Sequence, residues 1–312
     1  MAYMTEFTFL SSDGKSQIHC REYRPASEAK GILQIAHGIA EHIGRYDALA
    51  SFLADNGYIV VCNDHLGHGL SIVPGEEQGT YGKGGTWETV VEDMKALHDK
   101  TAGRFRGKPY YLMGHSMGSF LARTYMIRHR TGLDGVILSG TGHQHKALVA
   151  GGLMLSKMEI QRHSVNYKSK LLNDVAFGKY NDSFGHTRTP YDWISRDESV
   201  VDEYIADPMC AYIPSAGLFH EMMRGLDFIT NRKNIGRMKK TLPVYFFSGD
   251  KDPVGENGKG VIRAYKCFLK AGMTDVTMKL YHDGRHEMIH ELNRDEVFRD
   301  ILAWLDGKVG IR

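Results

Sequence analysis

Residues 112–118 read LMGHSMG, and Gly114, Ser116 and Gly118 give the pattern G-x-S-x-G. The stretch closes a short apolar run, Tyr110–Met113, and opens a helical one, Met117–His129. A serine used as a nucleophile needs its oxygen exposed on a tight, strained turn from strand to helix. Glycines on either side leave room for the crowded backbone. The helix that follows turns its partial positive end toward the serine, which favours negative charge there. A bare G-x-S-x-G arises often by chance. Its place between a strand pattern and a helix pattern is what marks Ser116.

Working outward from the elbow, the chain alternates between the two periodicities. Residues 5–10 and 17–23 read as strands joined around Asp13-Gly14, a hairpin-type turn. Gly31–Ala36 and Tyr58–Cys62 are short apolar runs of the kind buried on both faces of a sheet. Helical spacing appears over Arg45–Asn56, stopped by Gly57, and over the amphipathic stretch Trp87–His98. Val136–Ser139 is again a strand. Between 143 and 238 the rhythm breaks into mixed helical and loop signals. It resumes with strands at Val244–Ser248 and Val276–Tyr281 and helices at Val261–Ala271 and Glu291–Leu305. Eight strand segments interleaved with helices predict an α/β fold: a mostly parallel sheet with helices on both faces. Residues 1–142 and 239–312 form this core domain, and 143–238 a mainly helical cap inserted into it.

A serine hydroxyl needs a base, and the base needs an orienting acid. In such folds the chain order is serine, acid, histidine. Residues 246–254 read FFSGDKDPV, a strand and a turn-rich loop offering Asp250 and Asp252. An aspartate beside a strand end often caps its own turn, which favours Asp252 as the partner. Residues 280–290 read LYHDGRHEMIH and offer His282, His286 and His290. His282 sits at the strand end and His290 at the start of the last helix. His286 follows Asp283-Gly284 on a loop free to reach the serine. An oxyanion formed on attack needs two preplaced N–H donors. One belongs to Met117, the residue after the nucleophile. The other comes from the loop His37–His42, where Gly38 lets the backbone pass close and Ile39 is the candidate donor.

Several segments together resemble one family. These are HGIAEHIGRY at 37–46, NDHLGHGLS at 63–71, GHSMGS at 114–119, WISRDESVVDEYIADPMC at 193–210, and the loops SGDKDPV and DGRHE. The set is similar to the monoacylglycerol lipase and lysophospholipase group of α/β-hydrolases, sometimes filed with serine aminopeptidases. The resemblance covers nearly the whole chain. It implies an α/β-hydrolase fold with Ser116, Asp252 and His286 as triad and Ile39 and Met117 as oxyanion donors. It also implies a mobile cap over an apolar acyl tunnel, no cofactor, and a lipid ester as substrate. A lysophospholipase or a broad short-chain esterase would use the same triad. A non-catalytic binding module would be expected to lack one of the three.

Composition narrows the classes further. The 312 residues carry a net charge of +2, with no long basic block to mark a nucleic-acid binder. Cys20, Cys62, Cys210 and Cys267 are scattered and form no CxxC pair, as expected of free thiols. No run approaches the ~20 apolar residues of a membrane span, and no leader pattern is visible, so a cytoplasmic protein is expected. Asp64, His65 and His68 cluster in sequence, but the resemblance makes them a structural loop, and no metal is expected. His143–Lys170 holds five Lys/Arg against Glu159 and the apolar run Ala147–Leu155. Packing of that run against the core is the preferred reading, and transient contact with an anionic lipid surface is the alternative. Trp193, Met209, Tyr212, Phe219 and Met222 are candidate walls of the acyl site, since methionine and aromatic side chains suit an acyl chain better than a sugar.

Overall fold

The computed structural model describes residues 3–309; residues 1–2 and 310–312 of the expected core domain lie outside it. Eight strands form one sheet: β1 (Tyr3–Leu10), β2 (Gln17–Arg24), β3 (Gly31–Ala36), β4 (Tyr58–Asn63), β5 (Tyr110–His115), β6 (Gly135–Ser139), β7 (Val244–Gly249) and β8 (Val276–Tyr281). Their spatial order is β1-β2-β4-β3-β5-β6-β7-β8. The β1–β2 and β2–β4 pairs are antiparallel and all others parallel. The first hairpin turns where the sequence asks for it. Gly14 takes φ +75°, and the Asp13 carboxylate accepts the Lys15 and Ser16 N–H groups at 2.8 Å.

The central strands β3 to β7 are buried at every position. Alternate residues therefore feed two cores. Leu33, Ile35, Tyr111, Met113 and Ile137 face helices α1 (Asp47–Asp55) and α10 (Arg294–Asp306). Ile32, Leu112, Val136 and Phe246 face α2 (Trp87–Arg104), α3 (Met117–Arg128) and α9 (Lys259–Lys270). Two helix boundaries differ from expectation. Helix α2 runs on to Arg104 because His98 and Thr101 extend its buried face. Helix α10 begins at Arg294 rather than Glu291, whose buried carboxylate is held by Arg196 of the segment inserted between β6 and β7.

Between β6 and β7 the chain inserts α4 (Lys146–Arg162), α5 (Lys170–Phe177), α6 (Glu198–Ala206), α7 (Ala216–Thr230) and α8 (Arg232–Ile235). Helix α7 is the root of this insertion. It buries Leu218, Phe219, Met222, Leu226 and Ile229, an i, i+4 apolar stripe, in the α3 side of the core. At Gly225 it comes so close to Trp87 that a Cβ would overlap the indole. Helix α4 buries only Val149, Ser156 and Glu159. The preferred packing of its apolar run is met in part: Leu153 and Leu155 lean on the core, while Leu148 and Met154 stay about two-thirds exposed. All four cysteines are free. No helix among the described residues is long and apolar enough to cross a membrane.

Candidate active site

The elbow is built by packing. A Cβ at Gly114 would overlap the Gly118 carbonyl oxygen, and one at Gly118 would overlap the carbonyl of Ala36 at the end of β3. Helix α3 can thus sit down on the sheet only with both glycines. Ser116, between them, takes φ +51° and ψ −120°, a strained backbone for a residue with a Cβ. Its N–H is held by Ser139 O at 3.0 Å, and its C=O accepts Ser119 Oγ at 2.6 Å. The strain is fixed from both sides.

The acid and base loops are laced together before their side chains meet. Lys251 N donates to Gly284 O at 3.0 Å, and Gly249 passes so close to Gly284 that a Cβ would not fit. His286 Nδ1 then lies 3.0 Å from Asp252 Oδ1. The Asp252 carboxylate, fully buried, also accepts Ser248 Oγ and Val254 N at 2.9 Å. Asp250 goes elsewhere, to His282 Nδ1 at 3.2 Å and Asp283 N at 2.9 Å, both at the end of β8 and the loop after it, rather than to its own turn as expected. His290 is taken by Glu287 and by Arg45 O. Of the three candidate histidines, His286 alone pairs with Asp252. Burial opposes its charged form, but the charge and hydrogen bond of Asp252 outweigh burial and hold the imidazole above its ordinary pKa.

The His286 ring lies 4.7 Å, centroid to centroid, from that of His115, the residue before Ser116. Gly140, with φ +56°, leaves the space both rings use. No hydrogen bond joins the Ser116 hydroxyl to His286 among the described residues. Such bonds often tighten only when substrate is bound. His115 is pushed down to about 3 by burial and stays neutral.

The loop after β3 runs beside Ser116: a Cβ on Gly38 would lie 3.2 Å from Ser116 Cβ. His37 fixes the start of that loop through Gly38 O at 2.7 Å and His65 N at 2.8 Å. Glu41 accepts the Gly38 N–H, Tyr46 Oη at 2.9 Å and Arg45 Nη1 at 2.9 Å. Arg45 makes a bidentate pair with Glu287 at 2.7 and 2.6 Å. This buried chain ties the loop carrying Ile39 to the loop carrying His286, and sequence reasoning missed it. The i, i+4 spacing of Glu41 and Arg45 was its visible trace.

Of the candidate wall residues, Trp193 stands 5.1 Å from the His286 ring. Phe177 stacks on it at 6.3 Å and reaches Phe219 at 5.9 Å, and Tyr180 meets its edge at 4.9 Å. Phe177 and Tyr180, unnoticed in the sequence, complete an aromatic cluster leading from His286 into the insertion. Met222 lies in the buried face of α7. Tyr212 packs instead beside His68 at 6.1 Å, and Met209 sits half-buried after α6. The segment around Trp193 is clamped to the histidine loop. Glu287 N donates to Ile194 O at 2.7 Å, Ser195 Oγ to His290 O at 3.0 Å, and Arg285 to the carbonyls of Asp192 and Ser195.

Asp64, His65 and His68 do not converge as ligands. Asp64 takes His19 Nδ1 at 3.0 Å and the N–H groups of Ile43 and Leu70, while His65 and His68 pack around His37. Among the described residues, His42, Asp207 and Cys210 lie close enough to share a metal, as do Asp250, His282 and Asp283. Neither set adjoins the Asp252–His286 pair by any hydrogen bond, and the chemistry above needs neither.

The profile of the family described as "Serine aminopeptidase, S33" matches residues 27–293. Monoglyceride lipase of Rattus norvegicus is 26% identical over 310 residues, covering 97% of this chain and 90% of its own. Monoacylglycerol lipase of Mycolicibacterium smegmatis is 26% identical over 295 residues, covering 91% and 90%. A highly thermostable carboxyl esterase from Bacillus coagulans, solved with glycerol, matches with a TM-score of 0.91 at 28% identity, covering 98% of this chain and 99% of that one. With a profile match of that span and this strand order, the chain belongs to the serine aminopeptidase S33 family and has the α/β-hydrolase fold.

Proposed function

We propose that the protein is a serine carboxylic-ester hydrolase acting on monoacylglycerols or similar single-chain lipid esters, with Ser116, His286 and Asp252 as triad. The observation that carries this reading is the buried His286–Asp252 pair beside a strained serine, opening onto the aromatic cluster of Trp193, Phe177 and Phe219. Asp252 accepts the Nδ1 proton, which leaves Nε2 free to act as base. His286 takes the Ser116 proton as Oγ attacks the ester carbonyl. The N–H groups of Met117 and Ile39 receive the oxyanion. The tetrahedral intermediate expels the alcohol, protonated by His286, and leaves an acyl-enzyme. Water, deprotonated by the same imidazole, then releases the fatty acid and restores Ser116.

The relatives described above, named as lipases of monoglycerides, support the choice of substrate. So does the cluster of aromatic rings formed by Trp193, Phe177 and Phe219 beside His286. In this reading residues 143–238 act as the cap, and exposed Leu148 and Met154 beside Lys146 and Lys157 let it touch a lipid surface. The deciding experiment combines a fluorophosphonate label with a substrate panel. Wild-type protein is labelled and hydrolyses monoacylglycerols faster than lysophosphatidylcholine or short p-nitrophenyl esters. Ser116→Ala loses both label and turnover. Turnover retained in Ser116→Ala would defeat the assignment.

A further inference from the structure

Residues 143–146 lead from β6 into α4, and residues 230–232 join α7 to α8. Both segments abut α9, and between them lies a cleft of about 340 Å³. Lys146, Arg232, Arg263, Lys266 and Lys270 line it, and no aspartate or glutamate does among the described residues. Helix α9 reads KGVIRAYKCFLK, with four cations and no carboxylate. Arg263, Lys266 and Lys270 share one face of it, at spacings where like charges oppose one another. Of these, Arg263 alone has an acidic partner among the described residues, Glu256.

Behind the cleft lies a second unbalanced cation. Arg123 on α3 is fully buried and makes no ion pair among the described residues. It donates to Gly142 O at 2.6 Å and Ile229 O at 3.4 Å, one carbonyl beside each hinge of the cap, and its Nε is unpartnered. Burial pushes its pKa down to about 10. His143, in the wall of the cleft, is pushed down to about 4 by burial and by the cations around it, Arg123 first among them.

Arg123 is buried without a counter-ion among the described residues, and the cations that line the cleft add one sign of charge to it, so the cleft favours an anion. The guanidinium fork matches phosphate in geometry, and a phosphate monoester carries close to two charges at neutral pH. The volume is that of a small-molecule site, larger than one phosphate group fills. We propose that this cleft binds a phosphate-bearing anion, a phosphate monoester or a diphosphate, and that the bound anion ties both hinges of the cap to α9. Two sources share that chemistry: a soluble phosphorylated metabolite and the headgroup of an anionic phospholipid.

The test measures binding to full-length Ser116→Ala protein at fixed ionic strength, so it does not depend on the esterase reading. Calorimetric titrations use pyrophosphate and glycerol 3-phosphate. Sedimentation uses phosphatidylcholine vesicles with and without phosphatidic acid. Saturable binding of either soluble probe is expected, weakened at least tenfold in Lys266→Gln/Lys270→Gln and in Arg232→Gln. These side chains are exposed, so an unchanged melting temperature checks that the variants fold. Retention only on phosphatidic acid vesicles, lost in the same variants, also supports the site and assigns it to a lipid headgroup. Absence of binding in both arms, or equal binding by the variants, overturns it.

Discussion

Helices α3 and α4 flank β6 in the chain and have opposite surroundings. Eleven of the twelve residues of α3 are buried, from Met117 to Ile127. Of the seventeen residues of α4, three are. The first is fixed by backbone against backbone, as at Gly118 over Ala36. The second is fixed by a few side chains. The proposed chemistry sits where geometry is overdetermined, and the inserted segment reaches its loops at several points: residues 192–196 on the His286 loop, Asp207 on His42, and Ala211 N on Ala40 O. A site held this way keeps its angles.

The sharpest way to break this comparison is at the acid. Asp252→Asn keeps the shape but removes the charge and the tautomer control on His286. A fall in kcat of about 10⁴-fold is expected, with little change in melting temperature. Asp250→Asn, two residues away and bonded only to His282 and Asp283 among the described residues, is expected to cost less than about tenfold. Equal losses in the two variants would mean that the loop, not the His286–Asp252 pair, matters.

Gly118→Ala tests the overdetermined side. Its methyl would overlap the Ala36 carbonyl, whose carbon is 2.6 Å from the built position, as is His37 O. Backbone cannot yield as a side chain can. A loss of about 3 kcal/mol or more in unfolding free energy is expected, measured by urea denaturation. Any folded fraction should also lose turnover, because a displaced His37 moves Gly38 and Ile39 from the serine. A neutral substitution would show that α3 is less tightly seated than described.

The pH profile refines the same contrast. His286 must be neutral to act as base, and its pKa lies above the ordinary value of ~6.5. The acidic limb of kcat/KM therefore falls above pH ~6.5, with rate rising as pH rises through it. In Asp252→Asn the main opposing charge is gone and burial acts almost alone. The limb of the residual activity should then move to lower pH. A shift to higher pH would mean that Asp252 is not what holds the proton.

How much of this was legible in the sequence follows the same division. All eight strands were visible: β3 to β7 because a strand buried on both faces must be a short apolar run, and β1 and β2 because of the Asp13-Gly14 turn between them. Asp250 was set aside for a local use as a turn cap, whereas it bonds His282 and Asp283, 32 and 33 residues away, a pairing nothing local marks. The Arg45–Glu287 pair was not legible, since its members are 242 residues apart and nothing local marks them. Phe177 and Tyr180 were missed for a related reason. They reach Trp193 from the end of α5 and the turn after it, where no local pattern marks which distant segment a ring will meet. The exposed Leu148 and Met154 show the limit from the other side, for an apolar run does not say whether its partner is the core or lies outside the chain.

The smallest expected effect lies in α4, where two adjacent glycines differ. Nothing lies within 4 Å of a Cβ built at Gly151, whereas one at Gly152 would meet Met223 Sδ at 2.7 Å. Alanine is the better helix former, by up to about 1 kcal/mol per residue. Gly151→Ala should therefore stabilise the protein by about 0.5–1 kcal/mol with unchanged activity. Gly152→Ala should fall near zero, because the gain in propensity is offset by moving a flexible thioether rather than a carbonyl. Paired urea titrations of the two variants measure the difference directly. If Gly151→Ala destabilised the protein as Gly118→Ala is expected to, α4 would be packed on both sides, and the contrast between an overdetermined core and a loosely held cap would fail.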